Sequence, residues 1–136
     1  ELSDEARRYM GRFDELTGVA PRDCLVEGDR LVFVIPAGEM AAAIGQGGAT
    51  VTEAERRLGR SVELVEDADT PESFVASALA PAAVTAVTIS EQDDRVAYVE
   101  VAPADRGVAI GADGQNIETA RTLAKRHYDV DDVQLT

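Results

Sequence analysis

The stretch GEMAAAIGQGGATV, residues 38–51, carries a glycine, two variable residues and a second bounding glycine directly after Ala-Ile. The pattern returns within DRGVAIGADGQNIETARTLAKRHY, residues 105–128, so that Gly45 and Gly48 become Gly111 and Gly114, 66 residues further on. In a chain with 11 glycines a bare G-x-x-G is expected about once by chance. Two copies that share the preceding Ile and an aliphatic residue three positions after the second glycine (Val51 and Ile117) do not arise that way. Ala54 with Ala120, and Arg60 with Arg126, keep the same register. One unit is written twice.

Working outward, each copy sits at the same point of the same element order. Ser3 caps a first helix with Asp4 and Glu5 in its first turn, and Ala6, Tyr9, Met10, Phe13 and Leu16 recur at helical spacing before Gly18. Residues 23–27 and 31–35 are strand-like runs joined through Gly28-Asp29-Arg30. A short helix over 37–44, the glycine loop, a helix to Leu58 bearing Arg56 and Arg57, and a strand over 61–66 complete the first unit. In the second, Thr70-Pro71 opens a helix with a Phe74, Val75, Ala78, Leu79 stripe that Pro81 ends. Strands follow at 84–90 and 96–101, then a helix from Pro103 to Ile110, the loop, a helix with Ile117, Ala120, Leu123 and Ala124 inward, and a strand at 132–135. The boundary falls in the short acidic run 66–69, giving domains 1–67 and 68–136 in a fixed relation.

The bulk numbers narrow the function. The apolar fraction of 45% supports packed cores, and no apolar run approaches the ~20 residues that span a membrane. Cys24 is the only cysteine and His127 the only histidine, so neither an internal disulfide nor a Cys/His metal cluster is expected. With 26 Asp and Glu against 13 Lys and Arg, the net charge is −13. Acid excess with apolar content intact fits a protein kept soluble in strong salt, where the Debye length falls to about 3 Å at 1 M. A halophilic, cytoplasmic origin is expected.

Glycines in such a loop let a ligand approach the backbone, and the helix that follows presents unpaired N–H groups and a positive dipole end. A phosphodiester chain suits that arrangement. The bland alternative is a tight helix–helix corner in which only glycine avoids a clash.

The element order with I-G-x-x-G between two helices resembles the type II KH domain. The tandem is similar to the NusA-like transcription factors, in particular their short archaeal form. The resemblance implies an α+β fold of two tandem type II KH domains. Each would read helix-strand-strand-helix-GxxG loop-helix-strand, with a three-stranded sheet. It also implies single-stranded RNA binding, each loop clamping the backbone of about four nucleotides. Matched residue by residue, the RNA-binding set is Ile44, Gly45, Gln46, Gly47, Gly48 and Val51 in the first domain. In the second it is Ile110, Gly111, Ala112, Asp113, Gly114 and Ile117, supported by Arg121 and Lys125. The aliphatic members would floor the grooves, in keeping with an absence of Trp.

KH loops often carry Lys or Arg between the glycines; here they hold Gln46-Gly47 and Ala112-Asp113. Asp113 sets a negative charge where a phosphate would pass, so the first domain is expected to be the stronger grip. Arg121, Lys125 and Arg126 would compensate in the second. Neither loop has the Gly-Lys-Ser/Thr of a nucleotide-binding P-loop, and a lone His127 gives no catalytic set, so no enzyme, cofactor or metal is expected. The resemblance further implies action in transcription elongation or termination, with RNA polymerase as a partner, by a monomer. The rival reading is a degenerate KH tandem that serves only as a protein–protein interaction module in the transcription machinery.

Overall fold

A computed structural model describes residues 2–136. The chain folds as two compact units, Glu1–Asp67 and Ala68–Thr136.

The first unit runs α1 (Asp4–Thr17), β1 (Asp23–Glu27), β2 (Arg30–Ile35), α2 (Met40–Ile44), a single 3-10 turn (Gln46–Gly48), α3 (Ala49–Leu58) and β3 (Ser61–Glu66). Ser3 accepts a hydrogen bond from the Ala6 amide and Gly18 closes α1 in the left-handed conformation, as the capping residues predict. The expected start of α2 at Ala37 is too early: Gly38 has φ +85°, which an α-helix cannot include, and helix begins at Met40. The hairpin β1–β2 is antiparallel, and β3 adds to β2 in parallel, giving the order β1-β2-β3. Parallel pairing needs a crossover, and α2, the loop and α3 supply it.

The core of this unit gathers Ala6 and Phe13 from α1, Cys24, Leu31, Phe33 and Ile35 from the sheet, and Ala43 and Ala54 from α2 and α3. The rings of Phe13 and Phe33 stack at 4.3 Å, and each fully buried Phe contributes about 1.5–3 kcal/mol. Cys24 is 2% exposed within this core and packs there as a small hydrophobe. Ala43 and Ala54, both fully buried, let α2 and α3 approach closely, which fixes the loop between them.

The second unit repeats this plan: α4 (Pro71–Ala78), β4 (Val84–Ser90), β5 (Val96–Val101), α5 (Arg106–Ile110), a 3-10 turn (Ala112–Gly114), α6 (Gln115–Tyr128) and β6 (Asp132–Leu135). Its sheet order is β4-β5-β6, again antiparallel then parallel. Thr70 caps α4 through the Ser73 amide. The expected helix from Pro103 divides into a 3-10 turn over Pro103–Asp105 and α5. Phe74, Val75, Leu79, Val99, Leu123 and Val130 are fully buried, with Phe74 tilted against Tyr128 at 5.1 Å. Asp129 ends α6 at φ +55°, a left-handed cap that sequence pattern does not reveal. Among the described residues no helix is long and apolar enough to cross a membrane.

Candidate nucleic-acid interface

Both glycine loops adopt one backbone conformation. Gly45 and Gly111 have φ/ψ of 78/167° and 79/172°; Gly48 and Gly114 have 80/10° and 74/12°. Between them Gly47 (64/18°) and Asp113 (55/27°) are also left-handed. In each turn the second bounding glycine's amide bonds to the first one's carbonyl, at 3.0 Å in the first loop and 3.1 Å in the second. No side chain caps α3 or α6; their first amides, Ala49 and Gln115, bond back to the Gln46 and Ala112 carbonyls of the turn, and the positive end of each helix faces the loop.

The glycines have separate reasons. A Cβ on Gly45 would lie 2.2 Å from Thr50 Oγ1 and 2.7 Å from the Thr50 amide, and one on Gly111 would lie 2.8 Å from the Asn116 amide. These first glycines satisfy the corner reading: helix and loop touch there. Gly47 has open space around its missing Cβ, and only its positive φ favours glycine. Asp113 meets that same demand because Asp is among the few L-residues that visit this region. A carboxylate between the glycines therefore leaves the loop's shape intact.

Apolar surface accompanies the loops. Ile44 and Ile110, the residues before each first glycine, are 37% and 39% exposed, and Val108 is 44% exposed. Exposed large aliphatics beside an uncapped helix start are the informative kind of surface. Val51 is half-buried, whereas Ile117 is only 6% exposed, so Ile117 presents little of its surface to a ligand.

In the second unit Ile110, Asp113, Gly114, Ile117 and Arg121 converge on one open cleft of about 400 Å³, joined by Arg106, Glu118 and Leu135. Sequence reading missed Arg106, Glu118 and Leu135; the edge strand's approach to α6 is a tertiary fact. Arg106 bonds to the Thr136 carbonyl at 2.7 Å. Arg121 is held three ways, by the Val133 carbonyl (3.0 Å), by Asp132 (2.9 Å) and by Glu118. Lys125 does not line the cleft. Its ammonium bridges Asp129 (2.9 Å) and Asp131 (2.8 Å), and hydrogen bonds to both raise its pKa. The same bond, with one from the Arg95 amide, holds Asp131 below the usual carboxylate range. Lys125 closes the end of α6 rather than facing the loop.

The two units differ by an exchange of charge. Glu55 of α3 and Arg121 of α6 occupy one position relative to their glycines, and Val62 and Val133 one position on their edge strands. Glu55 accepts from the Val62 amide at 2.9 Å; Arg121 donates to the Val133 carbonyl at 3.0 Å. Each staples helix to edge strand, with opposite sign. The loops differ too: neutral Gly47 stands at the position that Asp113 holds in the second loop.

A helix-strand-strand-helix-loop-helix-strand unit with a parallel third strand, made twice around G-x-x-G turns, defines a tandem type II KH protein. Family profiles agree: that of the KH domain matches residues 8–70, and that of the NusA-like second KH domain matches residues 71–135. The chain is 62% identical to the "Probable transcription termination protein NusA" of Halobacterium salinarum, over 99% of this chain and 97% of the relative. It is 56% identical to the protein of that name from Halococcus morrhuae, over 98% and 96%. A solved chain titled "Crystal structure of APE1850" superimposes with a TM-score of 0.85 at 28% identity, covering 99% of this chain and all of that one. The chain belongs to the NusA family, in the form found in halophilic archaea, and the acid surface is in keeping with that setting.

Proposed function

We propose that this chain is a cytoplasmic, single-stranded RNA-binding factor of transcription elongation and termination. Each unit, 1–67 and 68–136, acts as one KH domain whose G-x-x-G loop holds the RNA backbone. The carrying observation is the shared loop: positive φ at the same three positions in each copy, a helix start with no side-chain cap behind them and an exposed Ile beside them. The relatives' printed role in transcription termination supports the setting. In this reading Ile44, Gln46, Gly47, Gly48 and Val51 contact RNA in the first unit. Ile110, Ala112, Gly114, Arg106 and Arg121 do so in the second, with Asp113 weakening the loop contact. Gly45 and Gly111 act by shaping the turn.

In strong salt the counterion-release gain from phosphate contacts is small, so affinity rests on hydrogen bonds and groove packing, and base identity matters more than charge. The protein binds as a monomer, and RNA polymerase is its protein partner. The test is a titration of short RNA and DNA oligonucleotides in molar KCl, followed by backbone NMR. Saturable shifts at residues 44–51 with RNA support the reading. Absence of binding by either nucleic acid would favour the protein-interaction reading, for which the acid surface and Asp113 speak.

A further inference from the structure

The first unit carries a cluster of arginines outside the loops, interspersed with the carboxylates of α1 and α3. Arg7, Arg8 and Arg12 on α1, Arg56 and Arg57 on α3 and Arg60 just beyond it make up six of the chain's 13 cations, in a molecule of net charge −13. Between the two helices lies a cleft of about 320 Å³ lined by Glu5, Arg8, Tyr9, Arg12, Arg57 and Leu58. The three cleft arginines are exposed, and the Arg60 guanidinium lies over the Tyr9 ring, 5.4 Å from its centroid.

The duplicated fold supplies its own control. In the second unit the helix equivalent to α1 is α4, PESFVASA, with no Lys or Arg. The fold therefore does not require cations there, and the acid bias of the chain runs against them. The cleft is also separate from the RNA groove. The cleft is lined by none of residues 44–51, and on α3 Arg57 stands about 160° around the helix from Glu55, which bonds to the edge strand.

We propose that this cleft is a docking site for an acidic polypeptide segment bearing apolar side chains. Guanidinium forks bind carboxylates in bidentate fashion, a contact that depends on geometry as well as charge. Arg and Tyr around an apolar floor are the residue types that dominate protein–protein contacts. A nucleic-acid strand fits less well. Arg60 already covers one face of Tyr9, the ring on which a base would stack. Arg12 and Arg57 are held at 3.2 Å and 3.7 Å by Glu15 and Glu53, exposed pairs that an incoming carboxylate can exchange at little cost.

The probe is a short synthetic peptide repeating Asp-Glu-Leu, titrated in molar KCl against the full chain, with arginine Nε–H and Tyr9 ring signals followed by NMR. The expected result is a saturable shift of Arg8, Arg12, Arg57 and Tyr9. Affinity should fall at least tenfold in Arg8→Gln/Arg12→Gln/Arg57→Gln and hold in Arg22→Gln/Arg95→Gln/Arg126→Gln, which removes equal charge outside the cleft. No saturable shift, or an equal loss in both variants, overturns the proposal. So does an RNA oligonucleotide that moves these same signals, because the surface would then belong to nucleic acid. RNA binding at residues 44–51 is read separately in that titration and stands or falls independently.

Discussion

A methyl group at Gly45 would need a positive φ and would sit 2.2 Å from Thr50 Oγ1. Gly45→Ala is expected to cost about 2–4 kcal/mol, from left-handed strain plus overpacking, measurable by urea unfolding in molar KCl. Gly47→Asp should cost only about 1 kcal/mol, because Asp113 holds the same conformation in the second loop. The converse change, Asp113→Gly, should leave the fold intact and raise RNA affinity about threefold, the size of one screened like-charge contact near the surface. An unchanged affinity in that titration would mean that the carboxylate does not oppose the strand. At this scale the loops were legible in sequence and the reasons for each glycine were not. That Gly45 is steric and Gly47 is conformational depends on where Thr50 lies.

Element order, strand limits and caps follow from local rules, and Ser3, Gly18 and Thr70 act as the sequence implies. Thr70→Ala should cost about 1 kcal/mol of stability in thermal unfolding, the usual worth of an N-cap. What local pattern could not give is the wiring of the end of α6. Lys125 and Arg121 read as cations available to RNA. The chain then turns through Asp129 and returns Asp131 and Asp132 beneath them. These bonds set a pH dependence. Asp131 and Asp132 are held below their ordinary value of 3.8, the first chiefly by Lys125 and the second chiefly by Gln134, with Arg121 adding to it. Their stabilising effect is therefore complete above about pH 4 and is lost as pH falls through the depressed values. An acid titration followed by NMR should show α6 and β6 loosening in that window, and Lys125→Met should flatten the response. Ile117 shows the same limit on local pattern. Its place three residues after the loop suggests a groove floor, while its burial shows that it also belongs to the core.

Over the whole molecule the acid excess sets the conditions in which everything else is measured. Self-repulsion at a net charge of −13 is screened by salt, so thermal stability should rise from low to molar KCl. A fall would contradict the halophilic reading. Duplication makes the two units controls for each other. Sequence identity between them is concentrated at the loops, whereas the exchange of Glu55 for Arg121 appears only once the edge strands are in place. The expectation of a stronger first domain is to be measured against that exchange: the first loop is open and Glu55 stands at the position of Arg121, while the second loop carries Asp113 and its cleft holds Arg106 and Arg121.

The claim that the loops hold RNA is tested most directly by Gln46→Asp/Gly47→Asp, titrated with a short single-stranded RNA in molar KCl beside the unmodified chain. Two carboxylates would enter a turn whose shape tolerates them. The expected result is an unchanged fold with RNA affinity reduced about tenfold or more, the loss of one charge-assisted contact. Equal affinity in the two proteins would contradict the account.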